Sequence, residues 1–534
     1  MHGLPQMSVW LWFLCLVPIL AVLILMMVFR WSGGRSGIVG WVLTLIVAYT
    51  WFGGHLHILS AGTLKGLWAT VWVLYIIWGA MTVYNVVDLV GGFKVISDTF
   101  TRLTGGNKIL QLLVLGWAFP GFVQGVCGYG APVAVAAPLL VGLGFDPIFA
   151  AATALIGHSW AVTFGSLGSS FSILERLTTL DPGRLALFAA FFLGIACILC
   201  GYSIAHMYGG WKCIREGTPA ILLIGVTMGA VLNLVANFVA PYVASFVAGA
   251  AGLIVGGLVV PKLPMYRPKV ADYTTVEIAA ATTEPYSFNV AFFAYYALII
   301  IVFTVYLIRP LKAYLAGLIN IGFPFPETTT LLGFTNKAVK KYQSIAVFTA
   351  PGTLIFTAAF LSYLFYKARG LWPEKGGQML LNRIIKQAMG ATMTVTTMTM
   401  MGVVMMEVGI TRYLAEGLAN TGKLYPIFSP WIGVLGAFMT GSNTNSNVLF
   451  TGLQWDVAKL LMISPFVILG LQTSGGAIGN MFCPMNVALG TGVTGQGGRE
   501  GECLRRTALY NAILTFVVGI LGWLILYVFF PGIE

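Results

Sequence analysis

The residues 441–447 read "GSNTNSN" and place Ser442, Asn443, Thr444, Asn445, Ser446 and Asn447 in succession inside an otherwise apolar region. Side-chain amides in hydrocarbon are costly unless they are satisfied, so this run must face a cavity, a ligand or an ion. A second unusual stretch, "GFVQGVCGYGAPVAVAAPLL" (121–140), carries Gln124, Gly125, Cys127, Gly128, Tyr129, Gly130, Ala131 and Pro132 where an apolar helix would be expected. Glycine and proline weaken a helix, and an interrupted helix leaves backbone N–H groups free at one half-helix and carbonyls free at the other. The first attract anions and the second can hold cations. Hydroxyls and amides added to such ends make a donor-rich pocket suited to a small carboxylate that carries a hydroxyl. No arginine falls near the middle of an apolar run, so a large polyanion has no point-charge anchor.

Each stretch is followed by another of the same kind. After the first comes "GHSWAVTFGSLGSSF" (157–171), with His158, Ser159 and Ser166, and after the second comes "QTSGGAIGNMFCPMN" (472–486), with Ser474 and Asn480. Gly128 to Gly165 and Ser442 to Gly479 each span 37 residues. Two interrupted elements in the same order in each half are the trace expected of a transporter built from repeats whose broken helices meet at the bilayer midplane. Close packing of small residues would account for the glycines, but not for the amides.

Ionisable residues inside apolar runs are functional candidates because burying charge is expensive. His158 lies within an interrupted element and can bond a carboxylate or carry a proton. Asp88 in "VYNVVDLVGGF" and Glu407 in "MMGVVMMEVGITRY" are the acidic candidates for ion coupling, although each also fits a membrane-edge carboxylate. The methionines of 389–407 alternate with threonines and lack His or Cys companions, which fits adaptable packing better than copper. The seven cysteines show no paired spacing and are assigned no chemistry, so neither a metal nor a cofactor is expected. The serines of "GSLGSS" (165–170) faintly resemble a protease turn, yet no histidine is placed to activate them.

The elements that carry these residues follow from composition. The 534 residues are 58% hydrophobic and 9% charged, with a mean hydropathy of +0.88. The fold class is therefore an all-α polytopic membrane protein, with about 12–14 transmembrane helices in two repeats, read as inverted, and interrupted helices or re-entrant hairpins at the midplane. Fourteen apolar runs can be traced between residues 8 and 530. The first, 8–29, lacks a basic start and a small-residue cleavage site and reads as a retained helix. The division expected is an N-terminal half 1–260, a cytoplasmic connecting loop 261–288 and a C-terminal half 289–534. The formal charge of +12 is scattered over short loops, which argues for topology and against nucleic acid. Lys94, Arg102, Lys108, Lys212 and Arg215 fall on one side, taken as cytoplasmic, with the N-terminus outside. Residues 309–345, basic but counted to the outer side, run against this rule.

The ordered motifs "GFVQGVCGYGAPVAVAAPLLVGLGFDP", "GSNTNSNVLFTGLQ" and "GGAIGNMFCPMNV…GREGECLRRT" resemble those of the L-lactate permease family over nearly the whole chain. The resemblance implies proton-coupled transport of lactate, glycolate or a similar 2-hydroxymonocarboxylate across a bacterial or archaeal plasma membrane. This chain departs from the family's usual Glu at Gln124, from a frequent Thr at Ala131, and from Asn-Thr-Ala-Pro at His158–Ala161. A carboxylate at 124 would be the natural proton carrier. Its replacement by an amide shifts that role to His158 or to a different coupling ion, and sodium symport of a small organic anion is the alternative.

Overall fold

The computed structural model describes residues 3–29, 31–128, 130–266, 286–497 and 499–532. Most of the connecting segment (267–285) and Tyr129 of the first motif lie outside the described residues.

The chain opens with α1 (Val9–Met27), α2 (Gly33–Trp51) and the long α3 (Leu56–Leu89), followed by the short amphipathic α4 (Gly92–Leu103). Ser8 and Ser32 cap the first two by accepting from backbone N–H groups three residues on. The first interrupted element consists of α5 (Lys108–Val126), a break at 127–130, and α6 (Ala131–Gly142). Gly130 takes φ +84° there, a left-handed turn that a side chain would strain, and Pro132 starts the next half-helix where no N–H is needed. The second consists of α7 (Pro147–Ser159), an irregular stretch, and α8 (Ser169–Leu177).

Next comes α9 (Pro182–Phe238), whose 57 residues would be about 85 Å long if straight, far beyond about 30 Å of hydrocarbon. It breaks at Gly209–Gly210, and the arms fold back on each other. Asn233 donates to the Ala190 carbonyl at 3.0 Å, and a Cβ on Gly229 would lie 3.2 Å from the Gly194 carbonyl. Then follow α10 (Pro241–Lys262), α11 (Phe293–Leu307) and α12 (Arg309–Leu318), the last bent 92° from its predecessor.

Residues 320–346 depart from the all-helical expectation. They form two small antiparallel ribbons, β1 (Asn320–Phe325) with β4 (Val339–Ala346) and β2 (Thr328–Thr329) with β3 (Thr335–Asn336). The ribbons are tied to neighbouring helix ends: Leu331 N–H donates to the Gly53 carbonyl at 2.8 Å, and Asn336 donates to the Glu407 carbonyl at 2.7 Å. This segment is a cap on one end of the bundle.

The C-terminal part begins with α13 (Pro351–Ala368), α14 (Gly376–Glu407) and α15 (Ile410–Ala419). It too has two interrupted elements. One is α16 (Tyr425–Thr440), a break at Gly441–Ser442, and α17 (Asn443–Leu460); the other is α18 (Pro465–Gly479), residues 480–483, and α19 (Pro484–Val493). Helix α20 (Glu500–Phe529) ends the bundle.

Among the described residues, seven helices are long and apolar enough to cross a membrane, or eight if the bent pair counts as one span. That is fewer than the fourteen apolar runs, because several runs are cut into half-length helices at the breaks and α9 holds two runs in one element. Helices α3 and α14 zip together in opposite directions, with Lys65 on Glu407, Trp78 on Thr392, Asn85 on Gln387 and Asp88 on Arg383. The Met-rich face of α14 also packs on the glycine face of α2; a Cβ on Gly37 would lie 2.1 Å from Thr397 Oγ1.

Candidate functional site

All four breaks meet around one cavity of about 360 Å³. From the N-terminal breaks come Gln124, Gly130, His158 and Ser166; from the C-terminal breaks come Ser442, Asn443, Thr444, Asn445 and Asn480. The cavity continues toward the end of the bundle that carries Ser32, Gly33, Gln387 and Thr394.

The floor is a hydrogen-bond lattice between the halves. Thr163 donates to the Thr473 carbonyl at 3.0 Å, and Asn443 Nδ2 donates to Thr163 Oγ1 at 3.0 Å and Thr473 Oγ1 at 3.3 Å. Asn447 Nδ2 donates to Thr473 Oγ1 at 2.9 Å and to the Ser170 carbonyl at 3.0 Å, while the hydroxyls of Ser170 and Thr444 lie 2.9 Å apart. Behind it, Gln472 donates to Ser446 Oγ at 3.1 Å and accepts from Gln454 Nε2 at 2.9 Å. Gln454 in turn accepts from Tyr425 and Ser429. The lattice consumes amide N–H groups. The side-chain oxygens of Asn443, Asn445 and Asn447 are buried without a hydrogen-bond partner among the described residues. A buried oxygen left this way costs about 1–3 kcal/mol, so the lattice has more acceptors than donors.

The N-terminal wall is built on an unusual turn. Ser166, Leu167 and Gly168 all have positive φ, +47°, +52° and +82°, which for the first two is strained backbone. Ser166 Oγ accepts from Gly128 N–H at 2.8 Å and so joins the two N-terminal breaks. Ser166→Ala would leave that buried N–H without its acceptor, at about 1–3 kcal/mol. The expected result is a lower thermal unfolding midpoint in detergent, which Ser166→Thr should not restore, because a β-branched residue is further strained at φ +47°. His158, also buried, has Nδ1 2.9 Å from the Ala154 carbonyl. A carbonyl only accepts, so Nδ1 carries a hydrogen and Nε2 is the acceptor of the neutral ring.

Other expected site residues lie just behind the wall. Gly125 allows backbone contact with Phe246, since a Cβ would lie 2.3 Å from Phe246 Cα. Cys127 is buried, Ala131 begins α6, and Ser159 is turned onto the Ile156 carbonyl. Ser446 donates to the Gly433 carbonyl, and Ser474 is buried with no partner for its hydroxyl among the described residues. Asp88 and Glu407 are placed outside the cavity, toward opposite ends of the α3–α14 pair. Asp88 binds Arg383 at 2.7 Å, and Glu407 binds the buried Lys65 at 2.7 Å. Sequence reasoning missed Thr163, Ser170 and Thr473 as lattice members and Ser32, Gln387 and Thr394 as lining. The hydroxyls of "AVTFGSLGSS" inside an apolar run were the available signal.

The chain matches the model of the L-lactate permease family over residues 12–529. It is 28% identical to the glycolate permease GlcA of Escherichia coli (strain K12), covering 96% of this chain and 95% of that one. It is also 28% identical to the L-lactate permease of the same strain, over 88% and 86% of the two chains, and 26% identical to that of Bacillus subtilis (strain 168), over 96% and 95%. Among solved structures, the antimetabolite efflux pump MtrF of Neisseria gonorrhoeae aligns with 82% of this chain and 84% of its own at 16% identity, with a TM-score of 0.34.

Proposed function

Because the chain belongs to the L-lactate permease family, we propose that this multi-pass plasma-membrane transporter imports L-lactate, glycolate or a close 2-hydroxymonocarboxylate together with a proton. The observation that carries this reading is the meeting of four broken helices at one cavity of about 360 Å³, a size for a small solute. A 2-hydroxycarboxylate offers two kinds of group. Its hydroxyl can pair with the polar side chains of Asn443, Asn445 and Asn480 that line the cavity, and its carboxylate accepts, matching the hydroxyls of Ser166, Ser170 and Thr444 and the half-helix start after Ser442. In this reading Gly128, Ala131, Ser159, Ser446 and Ser474 shape the wall behind the solute. The halves 1–260 and 289–534 act as inverted repeats, moving about the α3–α14 contact. The cavity opens toward Gln387, the end near Lys94, Arg102 and Lys108, which the positive-inside rule makes cytoplasmic.

Labelled L-lactate should accumulate in proteoliposomes carrying the purified protein when an inward proton gradient is imposed. Accumulation no greater than in protein-free vesicles for lactate, glycolate and pyruvate would overturn the proposal. Gln124→Glu would place a titratable group on the cavity wall, and uptake should then become steeper in pH; an unchanged profile would take position 124 off the proton route.

One observation favours sodium as coupling ion. The unpartnered amide oxygens of Asn443 and Asn447, one turn apart on α17, are hard neutral ligands of the kind an alkali cation takes. Lactate uptake that persists unchanged in sodium-free buffer would rule this out.

A further inference from the structure

Glu175, on the half-helix α8, is absorbed by none of the contacts described so far. It is partly buried, and its two carboxyl oxygens accept from the hydroxyl of Tyr242 at 3.1 and 2.8 Å. Among the described residues no Lys or Arg lies within ion-pair distance of it. The adjacent Arg176 is engaged elsewhere, with its guanidinium stacked 3.7 Å from the Trp72 ring and donating to Gln343 Oε1 and the Ser344 carbonyl, both at 3.3 Å, in the ribbon cap. The remaining titratable groups around it are phenols and one lysine. Tyr306 from α11 stands with its ring 6.4 Å from that of Tyr242, Tyr342 lies on β4 of the cap, and Lys312 from α12 sits over the Tyr306 ring at 4.4 Å.

The contrast with the other candidate acids is chemical. Protonating Asp88 or Glu407 would break an ion pair with Arg383 or Lys65. Protonating Glu175 breaks none. Its position is as informative as its partner. Helix α8 has only nine residues, and its first two, Ser169 and Ser170, line the cavity. Tyr242 spans the distance between the two ends. Its backbone and ring press on Gly168 of the strained turn, where a Cβ would meet Tyr242 Cδ1 at 2.7 Å and Cα at 2.8 Å, while its hydroxyl rests on Glu175.

We propose that Glu175 takes up and releases the coupling proton, and that Tyr242 transmits its charge state to the cavity turn at 166–168. The inference rests on the proton-coupled reading given above. A proton from water on the side of the ribbon cap adds to one carboxyl oxygen, the group becomes neutral, and an acceptor of the Tyr242 hydroxyl becomes a donor. The other carboxyl oxygen still accepts from the Tyr242 hydroxyl, but through a neutral bond weaker than the charge-assisted one, and the turn that holds Ser166 is free to shift as the hold on the Tyr242 ring loosens. The same O–H bond breaks when the proton is returned to water on the opposite side. The acid thus replaces in function the carboxylate that Gln124 lacks.

The full chain in proteoliposomes separates the possibilities through two readouts of labelled L-lactate: accumulation driven by a proton gradient, and counterflow at equal pH. In Glu175→Gln, gradient-driven accumulation should fall by about tenfold or more, whereas counterflow, which needs no net proton movement, should stay within about twofold of the parent. Glu175→Asp should recover part of the accumulation. Tyr242→Phe removes a donor that favours the charged carboxylate, so the pH of half-maximal uptake should move upward by about half a unit or more. Accumulation by Glu175→Gln equal to that of the parent overturns the inference. If Glu175→Gln is not folded, an unshifted profile in Tyr242→Phe overturns it instead. Absence of gradient-driven accumulation in the parent itself would overturn the proton-coupled reading, a different result from either.

Discussion

Asn443→Ala is expected to reduce lactate uptake by about tenfold, equivalent to about 1.4 kcal/mol of binding or of barrier, in a protein that still folds. The side chain has two ends with different duties. Its Nδ2 bridges the hydroxyls of Thr163 and Thr473, and its oxygen is buried with no partner among the described residues. Truncation leaves the hydroxyls 3.1 Å apart and still bonded to each other, so the structural loss is small. The loss to the solute is larger, because Asn443 lines the cavity at the first position of the half-helix α17, and alanine offers a bound polar solute no amide there. Ser442→Ala should act in the same direction but more weakly, since the Ser442 hydroxyl already accepts a long bond of 3.4 Å from Asn445 N–H. The check is KM and maximal rate in proteoliposomes beside thermal unfolding in detergent. A normal KM in both variants with a lowered midpoint would make the cluster a structural one.

The breaks themselves were legible because their causes are local. Gly130 and Gly441 each adopt positive φ, +84° and +73°, and a run of amides in an apolar stretch has few physical outlets other than a cavity. What the side chains pair with was not legible, because the pairs are remote in sequence. Thr163 meets Thr473 across 310 positions and Ser170 meets Thr444 across 274. Asp88 and Glu407 read as isolated acids for the same reason, since Arg383 and Lys65 stand 295 and 342 positions away. Glu175 was passed over from the opposite cause. Its neighbour Arg176 makes "ILERL" look like a self-compensated surface pair, and only the fold shows the guanidinium turned to the cap and the carboxylate to a phenol. The ribbons of 320–346 were hidden by weak alternation in "NIGFPF" and by strands of two residues. Their hydrogen bonds to the Gly53 and Glu407 carbonyls tie them to the ends of helices remote in sequence.

Gly475→Val should yield no folded transporter. Helices α16 and α18 touch through their backbones: a Cβ on Gly475 would lie 1.9 Å from the Pro430 carbonyl oxygen, and one on Gly433 would lie 2.1 Å from the Gln472 carbonyl oxygen, where ordinary contact begins at 3.4 Å. Backbone cannot rotate away as a side chain can, so the helices must separate by more than an ångström, beyond the usual cost of about 1–3 kcal/mol for an overfilled core. The separation also reaches the site. Gln472 lies one turn before Gly475 and holds Ser446 and Gln454, so the support behind Asn443 and Asn447 goes with it. The N-terminal half repeats the arrangement, with Gly157 of α7 placed so that a Cβ would lie 2.0 Å from the Gly116 carbonyl oxygen of α5. Gly157→Val should therefore fail in the same way, while Gly501→Val, where a Cβ would meet nothing within 4 Å, should leave the monodisperse detergent-solubilised peak intact. A folded, lactate-transporting Gly475→Val would mean that α16 and α18 are not in backbone contact. The cavity would then need some support other than these glycine crossings.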